Sequence, residues 1–445
     1  MAAADLAWDG DRFTTLLGKI MGESKHLQNN FPELIPKEDR AARHVLDALE
    51  PYSKENGGPL LIHHVAYVEG RGNIIVEYPG TSSNPEDILS FVGCHLDVVP
   101  ANPDLWDRDP FKLTVEGDEL HGRGATDCLG HVALLAEFFT ELGKKRPKLT
   151  KTVVGVWIAN EENSHVTGIG VDELVKRNEA GVMSRLKPGP LFWVDTADKQ
   201  PCIGTGGVSS WTLTAKGKLF HSGLPHKTIN PIELAMEALA IIQRRFYEDH
   251  PGSEKEKEYR YATPCTMKPT QVNFPGGSIN QIPGECTICG DIRITPFYST
   301  KQVMADVDNY VADINADLSK VPTRGPVSKY VLEDGLRGSV ELKWGGGYTD
   351  GVACKLDSPG FAAMKHAFGE VFGKCEPFSI TGSLPCIREL QEEGYDVQTM
   401  GFGLMSTYHA NNEYALLSDM EKGFKTIVAL VAKLDEGGGG KKAKK

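Results

Sequence analysis

The chain has 445 residues, longer than a single hydrophobic core usually serves, so two domains are expected. Apolar residues make up 40% and charged residues 24%, which excludes a disordered or fibrous chain. With 48 basic against 60 acidic residues the net charge is -12, which excludes a general attraction to nucleic acid.

The N-terminal MAAADLAWDGDRF carries acids early and lacks a basic stretch followed by an apolar one, so no secretory signal or transit peptide is expected. No run approaches the ~20 apolar residues of a membrane span. The nine cysteines are scattered and odd in number, which points to a reducing compartment. The chain therefore reads as cytoplasmic, with neither a membrane nor a nucleic-acid partner.

In chain order, DRAARHVLDALEPYS has helical spacing, NIIVEYPG and LSFVGCHLDVV read as strands, and HVALLAEFFTELGKK is helical again. TVVGVWIAN and PLFWVDTA are short, continuous apolar strands. Such strands between helices predict an α/β domain whose mostly parallel sheet is covered on both faces. From about residue 208 the rhythm changes. SSWTLTAKGKLF alternates, INPIELAMEALAIIQRRFYED is a helix with Pro231 near its start, PTQVNFPGG and GECTICGDIRITP are strands, STKQVMADVDNYVADINADL is a helix, and SVELKWGG is a last strand. The order βαββαβ predicts an inserted two-layer α+β domain of ferredoxin-like type over 208–346, between catalytic parts 1–207 and 347–436. Beyond it FAAMKHAFGEVFG is helical, YDVQTMGFG a strand, and SDMEKGFKTIVALVAKLDE a helix with Ser418 as its cap. The tail GGGGKKAKK, 437–445, has nothing to bury and is expected to be disordered.

Polar residues gather where apolar segments stop. His95 and Asp97 close LSFVGCHLDVV on one side of a strand, at the exit where ligands of open α/β sheets collect. A core histidine with a satisfied hydrogen bond is an equal reading of this motif alone. Asp127 follows in a Gly-rich turn, the pair Glu161 and Glu162 after TVVGVWIAN, Asp195 after PLFWV, and His409 in the loop GLMSTYHANNEY. For any one of these acids alone, a solvated loop residue is the usual reading. Together they make a mixed nitrogen and oxygen set suited to zinc, cobalt or manganese. Adjacent acids allow a division of labour, one ligating a metal and the other carrying a proton. Cys286 and Cys289 form a CxxC, but on a strand residues three apart face opposite ways, which argues against a metal or redox pair.

HLDVVP, GRGATD, ANEEN, VDTAD, FHSG and TYHANNE together resemble the dinuclear zinc amidohydrolases, the family that includes acetylornithine deacetylase, succinyl-diaminopimelate desuccinylase, aminoacylase and glutamate carboxypeptidase. The resemblance covers nearly the whole chain. DTADKQPCIGTGG, GKLFHSGLPHK, INQIPGE and TYHANNEY carry it to the plant-type acetylornithine deacetylase branch. It implies two divalent cations, zinc or else cobalt, one held by His95 and Asp195, the other by Glu162 and His409, with Asp127 bridging. It implies that Asp97 orients His95 and that Glu161 is the general base and acid. His221 would steady the oxyanion, often across a homodimer interface formed by the inserted domain; otherwise it is a surface histidine beside a turn. Arg293 and Asn280 would grip the substrate carboxylate and the reacting carbonyl, a carboxylate being matched by a two-pronged guanidinium. Otherwise Arg293 is an exposed strand arginine. Gly382 and Ser383 would line the pocket. The implied reaction is deacetylation of N2-acetyl-L-ornithine, with a general aminoacylase or dipeptidase as the alternative and an inactive binding protein on the same scaffold as a further one. Leu129 stands where many members carry lysine, and a glycine common after the paired acids is replaced in EENSHV. Neither departure removes a ligand.

Overall fold

The computed structural model describes residues 5–178, 181–325 and 327–436. The expectation for the tail lies outside them. The chain forms two compact units. The first runs to Ile203 and takes up again with Cys354–Phe378 and from Pro385; the second is Gly204–Ala353 with Ser379–Leu384.

The first unit is built on an eight-stranded sheet whose first six strands, in spatial order, are Leu61–Ala66, Gly72–Tyr78, Thr152–Ile158, Ile88–His95, Pro190–Val194 and Asp396–Met400. The last four of these run parallel, with antiparallel strands outside them. Their continuous apolar sequences follow from burial on both faces: every residue of Ile88–His95 is buried. The helix Leu129–Lys145 is buried along almost its whole length, and Leu417–Glu436 packs on it and on Pro359–Phe372.

One break in this regularity matters. Gly93 has φ +97°, and the pairing with Thr152–Ile158 skips it, a bulge that re-aims the two residues before the strand end. A Cβ there would meet the Trp193 ring at 2.6 Å. The strand stops at His95, not at Asp97 as the alternation predicts. Leu96 still donates to Ile158, and the chain then turns away.

A small antiparallel sheet of Thr114–Glu116, Glu119–His121 and Tyr414–Leu416 has no counterpart in the sequence reading. Its pair Tyr414↔His121 lays the His409 loop beside the Asp127 loop. The last helix begins at Leu417, so Ser418 is inside it. Its cap is Asp118, whose carboxylate accepts the Ser418 N–H and hydroxyl.

The second unit is a four-stranded antiparallel sheet ordered Thr266–Asn273, Glu285–Ile294, Gly207–Lys216, Ser339–Trp344, with the helices Pro231–Asp249 and Thr300–Ala316 packed on it. This is the expected βαββαβ sandwich. Asn230 caps the first helix, with Pro231 at its first position, and Ser299 caps the second. Strand Glu285–Ile294 alternates strictly, so Cys286, opposite Ala215, is buried in the core while Cys289 faces the other way. Those two thiols form no pair.

Candidate metal centre

Three neighbouring parallel strands deliver the acids and the first imidazole. Ile88–His95 ends on His95, Thr152–Ile158 runs on to Glu161 and Glu162, and Pro190–Val194 is followed by Asp195. Asp127 precedes the helix Leu129–Lys145, and His409, in left-handed backbone at φ +55°, lies beyond the fourth strand.

The side chains form two groups sharing one carboxylate. His95 Nε2 is 2.9 Å from Asp127 Oδ1 and 3.4 Å from Asp195 Oδ1. His409 Nε2 is 2.9 Å from Asp127 Oδ2 and 3.4 Å from Glu162 Oε2. Asp127 thus turns one oxygen to each imidazole. Glu161 Oε2 stands 3.8 Å from His95 Nε2, and its carboxylate makes no hydrogen bond among the described residues. Cys128, which the sequence reading passed over, also comes within 4.8 Å of ligand atoms of His95 and Asp195. Burial raises its thiol well above the ordinary range, so the sulfur stays protonated and packs near the Val194 carbonyl.

Asp97 does more than the sequence reading assigned to it. His95 Nδ1 donates to the main-chain oxygen of Asp97 at 2.9 Å, while the carboxylate Oδ1 is 3.5 Å away. That carboxylate instead accepts the main-chain N–H groups of Glu161 and Glu162, both at 3.1 Å, and the Asn29 amide at 2.8 Å. It therefore sets the direction of both paired acids. Behind it Asn29 and Arg71 both donate to Asn160 Oδ1, which sits in left-handed backbone just before the pair. Arg71 is bonded in two-pronged fashion to Glu38, a carboxyl that burial lifts to about 7. Asn29, Glu38, Arg71 and Asn160 were not legible as site residues, because a single polar residue in a loop or helix carries no periodic signal.

The donor set fits divalent cations. Asp97, Asp127, Glu161, Glu162 and Asp195 put five carboxylates against two imidazoles, all but His409 largely buried. Buried like charges are costly unless neutralised, and a pair of divalent cations neutralises them. Without cations, protons do that work. Burial and Asp195 push Glu161 well above the carboxylate range, burial and Asp127 push Glu162 to about 7, and hydrogen bonds to Asp127 and Glu162 hold His409 up at about 10.

These raised values share a sign. Through these groups the folded, cation-free chain binds more protons than the unfolded chain, so their contribution to stability falls as pH rises. For Glu162 the loss runs from 4.5 to about 7, and for His409 from 6.5 to about 10. Asp97 and Asp127 are lowered: burial raises both, but the neighbouring imidazoles, together with the Asn29 amide and the Glu161 N–H at Asp97, outweigh it, and both act in the opposite sense only below 3.8. Calorimetry of chelated protein is therefore expected to show Tm dropping from pH 6.5 to 10, with the drop removed by cation loading. Loading at pH 7 should release protons, read by titration in buffers of different ionisation enthalpy. A flat Tm profile for the chelated protein would contradict this charge balance.

The other expected site residues belong to the second unit. The short strands Phe220–His221 and Gln281–Ile282 pair, with His221 opposite Gln281, which brings His221 next to Asn280. The Ser222 N–H donates to the Asn280 carbonyl at 2.9 Å. His221 is exposed, and its Nδ1 accepts the Gly223 N–H at 2.9 Å, so the neutral ring carries its proton on an outward Nε2. Arg293 pairs with Val208 at the other end of the sheet and binds Asp291 through Nε. Gly382 lies at that end too, where its carbonyl accepts the Gly206 N–H, and Ser383 follows it.

Residues 91–433, well over half of the chain, match the model of peptidase family M20/M25/M40. The chain belongs to that family. Within it, the chain is 58% identical over 430 residues to an acetylornithine deacetylase of Arabidopsis thaliana, covering 96% of each. It is 51% identical over 440 residues to an acetylornithine deacetylase of Dictyostelium discoideum, covering 96% of this chain and 98% of that one. Human carnosine dipeptidase 1 has the same family fold, with TM-score 0.67 and 18% identity over 96% of each chain. All the candidate ligands, from His95 to His409, lie inside the matched stretch.

Proposed function

We propose that this chain removes the acetyl group from N2-acetyl-L-ornithine, releasing ornithine and acetate for ornithine and arginine biosynthesis. It is a metal-dependent amidohydrolase. The observation that carries the chemistry is the pair of side-chain groups sharing Asp127, with the uncommitted Glu161 carboxylate beside them. The choice of substrate rests on 58% identity to an acetylornithine deacetylase along almost the full length of both chains. A general aminoacylase or dipeptidase is not favoured by that likeness, and an inactive scaffold would have no need of a free carboxylate at position 161.

His95, Asp127 and Asp195 would hold one cation, and Asp127, Glu162 and His409 the other. Two divalent cations, zinc first and cobalt as the alternative, would polarise the amide carbonyl and lower the pKa of the attacking water. Glu161 takes that water's proton and hands it to the leaving nitrogen. Asp97 aims Glu161 through its main-chain N–H. His221 donates from Nε2 to the developing oxyanion, Asn280 assists at the carbonyl, and Arg293 grips the substrate carboxylate beside Gly382 and Ser383.

A homodimer through the second unit is supported by the length of that unit. The pairs Arg293↔Val208 and Glu285↔Lys216 lie eight strand steps apart, about 26 Å at ~3.3 Å each, and the chain reaches His221 only after Lys216. A small acylated amino acid does not reach across such a span, which supports a partner supplying His221 and Asn280 to each site. The outer strand Thr266–Asn273 is largely exposed, and its Val272 together with Phe274 and Ile279 offers apolar surface for that contact. None of the nine cysteines is in a disulfide, and no helix among the described residues is long and apolar enough to cross a membrane.

The test is hydrolysis of acetylornithine by protein loaded with zinc or cobalt, beside a panel of other acylated amino acids and dipeptides. The expected order is acetylornithine first by kcat/KM, with activity lost to a chelator. A preference for dipeptides would move the assignment to the alternative.

A further inference from the structure

Glu413 is used by none of the chemistry above, yet its side chain is completely buried four residues after His409. Its Oε2 accepts from Arg123 Nη1 at 2.7 Å and the Gly124 N–H at 3.1 Å, and its Oε1 accepts the N–H groups of Thr126 at 2.8 Å and Asp127 at 3.0 Å. Its carbonyl accepts the Gly122 N–H at 3.0 Å. The loop before the shared carboxylate is thus wrapped around an anion, with three main-chain donors converging on it. Gly124, at φ +95°, makes that curl possible, since a Cβ there would meet Leu129 at 2.6 Å.

Other contacts tie the same two loops. Thr126 and Thr407 each donate a hydroxyl to the Tyr414 carbonyl at 2.9 Å. Arg123 is almost entirely buried, lies over the Trp106 ring with its guanidinium carbon 5.1 Å from the centroid, and neutralises the Glu413 charge. A buried, paired carboxylate adds no net charge to the metal centre. What it fixes is position. Asp127 and His409 come from distant parts of the chain, and a single side chain, covalently part of the His409 loop, holds the Asp127 main chain.

We infer that Glu413, with Arg123 as its counter-ion, is a positioning residue that sets the separation of Asp127 from His409, and with it the affinity of the cation position shared by Asp127, Glu162 and His409. The position built on His95 and Asp195 depends on it less, because those two residues are aimed by the parallel strands and by Asp97, Trp193 and Tyr408. The inference rests on the two-cation reading.

The experiment is a Co2+ titration of the metal-free full-length protein, followed by visible absorption and calorimetry, for wild type, Glu413→Gln and Arg123→Gln. Glutamine at 413 keeps the size but turns an N–H2 group toward N–H donors. The expected result is two binding events in each protein, the first unchanged and the second weakened by about 10–100-fold in Glu413→Gln, with an altered cobalt spectrum for that event. Arg123→Gln leaves the three main-chain bonds and should weaken the same event to a smaller extent; it carries the test alone if Glu413→Gln does not fold. Unchanged affinity for the second cation, or equal weakening of both, overturns the inference. Wild-type protein that takes up only one Co2+ would instead remove the two-cation reading.

Discussion

Glu161→Gln is expected to lower kcat for acetylornithine by about 10²–10⁴-fold while both cations stay bound. Glutamine has the shape of glutamate, and the contact that aims residue 161 is its main-chain N–H on Asp97, which the substitution leaves alone. The carboxylate bonds to nothing among the described residues, so the change leaves no buried partner unsatisfied. What disappears is a group able to accept a proton and return it. Steady-state kinetics with metal analysis of the same sample decide the matter: full metal content with turnover within about tenfold of wild type would remove Glu161 from the proton path.

The second large effect joins chemistry to assembly. His221→Ala is expected to cost about 10²–10³-fold in kcat, the usual loss of one donor to an oxyanion. The Gly223 N–H on Nδ1 keeps the ring proton on Nε2, so the imidazole is already set to donate. If each site takes its His221 from the partner, a mixed dimer of Glu161→Gln and His221→Ala contains one site with both residues intact. Unfolding and refolding the two inactive variants together should then restore about a quarter of wild-type activity, since random pairing gives half mixed dimers with one working site in two. Sedimentation would show the dimer directly. A mixture no more active than its components would place His221 and Glu161 in service to the same chain, or His221 outside the reaction.

Much of the architecture could be read from periodicity. Continuous apolar strands such as TVVGVWI reveal the covered sheet, because burial on both faces removes every polar position, and SSWTLTAK alternates because one face of its sheet carries the helices. The acids and histidines at strand ends stand out against those apolar runs for the same reason. Other features left no such trace. Strands of three residues, such as Glu119–His121 and Tyr414–Leu416, are too short to display a period, yet they lay the two ligand loops together. The bulge at Gly93 looks in sequence like any glycine in a strand. Asp97 sits two residues from His95, which suggests a partner for the ring, whereas its carboxylate is spent on main-chain donors sixty-odd residues away. Glu413 shares its loop with His409, and only the fold reveals that it faces inward.

The strand Asp396–Met400 is almost the last to be made, yet it lies inside the sheet, pairing with Pro190–Val194 on one side and meeting Cys202 through Thr399 on the other. During synthesis the apolar edge of Pro190–Val194 therefore waits, unpaired, while about two hundred further residues leave the ribosome. A nascent chain in that interval carries a sticky margin open to the wrong neighbour, and an early stop between Val194 and Asp396 leaves it permanently exposed.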